Sequence, residues 1–110
     1  MDAEAASKHE CDATVSLAFS ILGKRWNGMI LDVLGGGPIS FAALRRAVGG
    51  ISDAVLADRL AELSEARLLT RTVAPGPPVS VTYQLTDGGK ELIPVLEQLG
   101  RWAEEHLTVR

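Results

Sequence analysis

The stretch ISFAALRRAVGGISDAVLADRLAELSEARLLTR, residues Ile39–Arg71, divides into a short helix, a glycine turn, a second helix and the start of a strand. Ser40 can cap the first helix, whose apolar residues are Phe41, Leu44 and Val48. Gly49 and Gly50 stop it, because glycine reaches the backbone angles of a sharp exit at little cost. Ser52 opens the second helix, with Asp53 in the first turn, where the helix dipole favours an anion. Leu56, Leu60 and Leu63 recur at four and three residues and share one buried stripe. Asp53, Ala54, Ala57, Asp58 and Ala61 lie mostly off it, so the helix is anchored on one side and free on the other.

Two short helices across a tight turn suit either an ordinary helical pair or a helix-turn-helix, whose second helix enters the DNA major groove. The next residues favour the second. Leu68–Val73 is a short β-type run, Ala74–Pro78 a turn segment, and Val79–Leu85 a second β-type run that ends at a helix signal, Thr86. Helix, helix, hairpin is the winged form of the motif. Pro75, Pro77 and Pro78 stiffen the hairpin tip and remove amide donors, and only Arg71, at its base, brings positive charge.

A chain of 110 residues has room for one domain, and about half of it is apolar, which excludes wholesale disorder. No run is long enough to cross a membrane, the N-terminus lacks a signal-type core, and a single cysteine excludes an intrachain disulfide; a cytoplasmic protein is the plain inference. The formal charge of −3 argues against a DNA binder, but its distribution does not. Residues 1–23 carry one cation against four acids, residues 24–71 seven against five, and residues 72–110 three against five. Positive charge gathers where phosphate would be met, although attraction to DNA would be modest and affinity would lean on geometry.

Residues 1–12 read as a flexible arm, and 13–107 as the folded domain. Thr14 is the expected cap of a helix over Val15–Leu22, with Val15, Ala18, Ile21 and Leu22 inward. Lys24–Leu34 reads as a second helix, with Trp26, Ile30, Val33 and Leu34 at helical spacing; Trp26 suits a core, a small-molecule pocket or a subunit seam. Gly35–Gly36–Gly37–Pro38 then breaks the chain. The last helix runs from Thr86–Asp87 to about Leu107, and Pro94 inside it forfeits the amide bond to Lys90. Its wide apolar face of Leu92, Val95, Leu96, Leu99, Trp102, Ala103 and Leu107 suits pairing with a second copy, the alternative being packing within the monomer.

No catalytic constellation, metal-ligand spacing, P-loop or dinucleotide fingerprint is present, so neither an enzyme nor a bound metal or cofactor is expected. His9 and His106 stand apart from any carboxylate motif. Cys11 lies near the start of the first helix, which lowers a thiol pKa, and beside Glu10 and Asp12, which raise it; a redox sensor and a silent cysteine both fit.

Taken in order, Cys11, Gly23–Lys24–Arg25–Trp26, Phe41–Ala42–Ala43–Leu44–Arg45–Arg46 and Gly50–Ile51–Ser52 with Leu56, Leu60 and Leu63 form a pattern. Val81–Thr82–Tyr83–Gln84–Leu85–Thr86–Asp87–Gly88–Gly89, Pro94, Leu99 and Trp102 complete it. The chain resembles the HxlR-type winged-helix transcriptional regulators, relatives of the MarR group, from Cys11 to Leu107. The resemblance implies a mainly α fold with a small β-hairpin, and a homodimer through the N- and C-terminal helices, with Val15, Leu92, Val95, Leu96, Leu99, Trp102 and His106 at the seam. It also implies recognition of a palindromic operator in double-stranded DNA by the Ser52–Leu63 helix flanked by wings. In a subset of the family, the cysteine corresponding to Cys11 senses electrophiles or oxidants.

This chain departs from the family pattern. Asp12 replaces the proline that usually follows the cysteine, Arg25 widens the glycine-glycine-lysine-tryptophan signature, and Ala54 and Ala57 stand where lysine and threonine are common. Direct readout is therefore expected from Arg59, Ser52 and Asp58, with Asp53, Ala54 and Val55 on the same helix, and phosphate contacts from Ser40, Arg45, Arg46 and Arg71. The alternative function is a winged-helix protein-interaction module that has lost DNA binding, in keeping with the net acidity and the alanine-rich helix face.

Overall fold

The computed structural model describes residues 12–107. In chain order its elements are α1 (Ala13–Leu22), α2 (Asn27–Leu34), β1 (Ile39–Ser40), α3 (Phe41–Val48), α4 (Asp53–Glu65), β2 (Leu69–Ala74), β3 (Ser80–Leu85) and α5 (Asp87–His106). The strands form an antiparallel sheet in the order β1-β3-β2. Leu69 faces Leu85 at the open base of the hairpin and Ala74 faces Ser80 at its tip, while Ile39 and Ser40 pair with Tyr83 and Thr82. The expected mainly α, winged helix-turn-helix architecture is what forms. Two paired residues carry no pattern of their own, which is why β1 was not legible in advance.

The core gathers Ile30, Leu31 and Leu34 of α2, Leu44 and Val48 of α3, Ile51 of the turn, Leu56, Leu60 and Leu63 of α4, and Leu69 and Leu85 of the hairpin. Three helices and a hairpin thus close over one apolar centre. The first helix adds to it only its last two residues, Ile21 and Leu22, which pack against the core from outside. None of its residues is buried, and Val15 and Ala18, expected inward, are exposed, while only Ile21 and Leu22 are partly covered. With an apolar residue on nearly every side of α1, periodicity could not tell which face is covered. Its cap also differs from expectation: Asp12, not Thr14, accepts from the amides of Thr14 and Val15, and Asp12 belongs to the helix start instead of to an arm. The Thr14 hydroxyl also donates to that carboxylate, which holds Asp12 below the ordinary carboxylate range.

The second helix begins three residues later than its apolar spacing suggests. Trp26 has φ 84°, a left-handed conformation that no helix continues through, and occupies the N-cap position. Behind it, Asn27 is fully buried. Its amide donates to the Ile21 carbonyl at 2.8 Å and to Glu62 Oε1 at 2.9 Å, so one side chain ties the end of α1 to the back of α4. Glu62 also pairs with Lys24 and, at 3.5 Å, with Arg59. The Lys24 ammonium first, and then the Asn27 amide, hold the Glu62 carboxyl below its ordinary value of 4.5.

At the other end of α4, Arg67 takes φ 61° and the amides of Arg67 and Leu68 return to Ser64 and Leu63, both at 3.0 Å. This is a Schellman ending with arginine in the position glycine usually fills. It turns the chain directly into β2. The first turn of α5 then seats on the same corner. Thr86 caps α5 by accepting from Gly89 and donates its hydroxyl to the Arg67 carbonyl at 2.7 Å. A Cβ on Gly89 would lie 2.1 Å from the Leu68 carbonyl oxygen, so this contact admits only glycine.

Two outcomes follow from these contacts. Gly89→Ala should lower the melting temperature by about 10 °C, whereas Gly88→Ala, whose Cβ meets nothing closer than 3.7 Å, should shift it by less than about 3 °C. Because the folded-state pKa of Glu62 is depressed, its contribution to stability is present above pH 4.5 and is lost as pH falls through the folded value. Thermal melts should therefore find wild type more stable than Glu62→Gln at pH 7, with the gap closing on acidification; a constant gap down to pH 3 would refute the assignment.

Candidate nucleic-acid interface

The candidate interface is the outer side of α3, the turn and α4. Ser40 and Ser52 each cap their helix, accepting at 3.2 Å from the amides of Ala43 and Val55. Gly49 and Gly50, at φ 71° and 74°, make the turn in a region that side chains rarely enter. The Trp26 ring edge would lie 3.7 Å from a Cβ on Gly50, so the indole braces the turn from below. Trp26 is partly buried against the core, the plainest of its three expected placements, and the Arg25 guanidinium lies over its face at 4.6 Å.

Across the turn, Arg45 Nη1 meets Asp53 Oδ1 at 2.9 Å. Both side chains are well exposed, so this pair contributes at most about 1 kcal/mol. Its effect is on direction: Arg45 and Asp53, both expected to face DNA, are held to each other. Arg46 and Arg71 are exposed and make no ion pair among the described residues.

On α4 the leucine stripe is fully inward, with Leu56, Leu60 and Leu63 at 0, 2 and 0 % exposure. Val55 is partly covered, and Ala54, Ala57, Asp58 and Ala61 are exposed. Arg59 departs from the picture drawn from sequence. Its side chain is 25 % exposed, Nη1 points to Glu62, and Nε is buried without a hydrogen-bond partner. The guanidinium is directed along the protein and does not extend from the outer face. Sequence spacing places Arg59 beside the stripe, but the direction of a long side chain depends on where its counter-ion sits, here Glu62 three residues on.

The wing, β2–β3, carries no charged side chain from Thr72 to Thr86. Val73 and Val79 near its tip are exposed, and Arg71 stands opposite Tyr83 toward the base.

Behind this unit, α1 and α5 enclose an open groove of about 460 Å³ lined by Val15, Phe19, Val95, Leu99 and Trp102 among others. Val15, Phe19, Val95, Leu99 and Trp102 are all about half exposed or more, while Leu92 and Leu96 are partly buried. Trp102 stacks on His106, ring centroids 5.5 Å apart, and His106 Nδ1 lies 3.0 Å from the Trp102 carbonyl oxygen. Cys11, the candidate redox residue, lies outside the described residues. Among the described residues no helix is long and apolar enough to cross a membrane, and no group of three His, Cys, Asp or Glu is placed to hold a metal.

Comparison with known proteins agrees with this architecture. YodB of Bacillus subtilis strain 168, an HTH-type transcriptional regulator, is 43 % identical over 88 residues, which are 80 % of this chain and 79 % of YodB. The reduced form of YodB matches with a TM-score of 0.81 at 39 % identity, covering 89 % of this chain and 96 % of that one. The quinone-bound form of YodB matches with a TM-score of 0.76 at 37 % identity, covering 86 % and 99 %. The model of the HxlR-like helix-turn-helix family matches residues 21–110, which takes in the capped helix pair, the wing and the final helix. By fold, by sequence and by the geometry of its turn, the chain belongs to the HxlR-like helix-turn-helix family.

Proposed function

We propose that this chain is a sequence-specific, double-stranded DNA-binding transcriptional regulator, non-enzymatic and cytoplasmic, which works as a homodimer on an inverted-repeat operator. The observation that carries the proposal is the two-sidedness of α4: its leucine stripe is entirely inward while the opposite side, from Ala54 to Ala61, is open to solvent at the outer surface of a helix-turn-helix. Arg46, with Arg45 and the caps at Ser40 and Ser52, supplies phosphate contacts on one flank, and Arg71 supplies one at the wing base. Beyond Arg71 the wing, uncharged from Thr72 onward, meets the duplex by shape and backbone.

Support for the dimer comes from the apolar groove between α1 and α5, which a monomer leaves open. A twofold partner covering Val15, Leu92, Val95, Leu96, Leu99, Trp102 and His106 would set two copies of α4 on successive half-sites. Support for an effector comes from YodB, which has been solved both reduced and quinone-bound. In this chain an oxidant or electrophile would act on Cys11, just ahead of α1, and release the DNA.

Arg46→Ala should weaken binding to operator and random duplex by the same factor and flatten the salt slope by about 1 per protomer in mobility-shift titrations. Leu99→Glu should yield monomers in sedimentation and weaken operator binding on the order of 100-fold, because the two half-sites are then met independently. Treatment with a quinone should lower operator affinity of wild type and leave Cys11→Ser unchanged. No shift with any genomic fragment at micromolar protein and low salt would overturn the regulator proposal in favour of a protein-interaction module.

A further inference from the structure

The outer face of α4 has an unusual chemical inventory for a surface that meets DNA. The cation of α4, Arg59, is turned onto Glu62 with its Nε buried. Asp53 is occupied by Arg45 at 2.9 Å. The Ser52 oxygen is engaged as the cap of the helix. In the first two turns this leaves Ala54, Val55, Ala57 and Asp58; Asp58 alone of these is polar, and it makes no side-chain hydrogen bond or ion pair among the described residues. Helical geometry puts Ala54 and Asp58 one above the other, opposite the buried leucines, where a major-groove helix comes closest to base edges.

An ionised carboxylate only accepts hydrogen bonds. In the major groove it is repelled by guanine O6 and N7 and by thymine O4, and it is attracted by the exocyclic amines of cytosine and adenine. Adenine places the N7 lone pair beside its amine, whereas cytosine places a C5–H there, so cytosine is the better match. The alanine methyl groups alongside offer apolar contact suited to a neighbouring thymine methyl.

Resting on the regulator function proposed above, we propose that Asp58 is the specificity-determining residue of the operator half-site and selects a cytosine through its N4 amine, with Ala54 and Ala57 lying against an adjacent thymine. The negative charge that rewards cytosine also repels phosphate. Asp58 therefore weakens binding to unmatched DNA while favouring the matched site.

The test is selection from a random duplex library with the full-length protein, in wild-type, Asp58→Ala and Asp58→Asn forms, followed by titration of the enriched sites. Wild type should enrich half-sites containing one invariant cytosine, whose replacement by thymine costs at least roughly tenfold in affinity. Asp58→Ala should keep the rest of the motif, lose preference at that position, and bind random DNA more tightly than wild type. Asp58→Asn should shift the preference toward adenine, which the amide can meet at both N6 and N7. An unchanged motif with Asp58→Ala, or weaker binding of that variant to random DNA, overturns the role of Asp58 and leaves the regulator function standing. Failure of the wild-type protein to enrich any motif overturns both.

Discussion

The burial of Leu56, Leu60 and Leu63 is the constraint on which the rest depends. Each is essentially absent from the surface, and a buried leucine of this kind is worth about 1.5–3 kcal/mol relative to an exposed one. The exposed Arg45–Asp53 pair contributes at most about 1 kcal/mol. Hydrophobic burial therefore sets the rotation of α4 about its own axis, and the ion pairs only trim it. Any rotation that swung Asp58 and Ala54 away from solvent would expose leucine, so presentation of the outer face and stability of the domain are one property. Glu62 adds axial position to this. Through Asn27 and Lys24 it fastens the back of α4 to the α1–α2 corner, where hydrophobic contact alone permits sliding.

Much of this was legible in the residues. The caps Ser40, Ser52 and Thr86, the glycine pair of the turn, the inward leucines and the hairpin, strands within a residue or two, all follow from local rules that tertiary packing did not override. What could not be read was set by contacts between segments distant in sequence. Asn27 is a poor core residue by type and is buried because Ile21 and Glu62, far apart in the chain, supply its partners. The late start of α2 depends on the left-handed backbone of Trp26, and nothing in the identity of a tryptophan announces it. At the interface, the exposed face of α4 was visible from spacing. The retreat of Arg59 onto Glu62 was not, because it is decided by the position of a carboxylate and not by the position of the arginine.

The acidity of the chain also takes on a meaning at this level. With no charge in the wing beyond Arg71 and an exposed carboxylate on α4, the regulator proposed above would have few cations to hold DNA of arbitrary sequence. Such a surface would gain little from counterion release and would have to obtain its affinity from matched contacts. Weak attraction to bulk DNA would reduce the time spent on wrong sites, so the same composition that first argues against DNA binding would then favour discrimination.

The glycine contact at the foot of α5 has a mechanical consequence. Gly89 seats on the carbonyl of Leu68, at the corner where α4 passes into the wing, and from there α5 extends over 20 residues, or about 30 Å. It is a lever with its fulcrum beside the helix-turn-helix and its other end far from it. One degree of tilt at that fulcrum carries the far end through about 0.5 Å. Run in reverse, a displacement of a few ångströms near His106 is geared down to a turn of a few degrees at the corner.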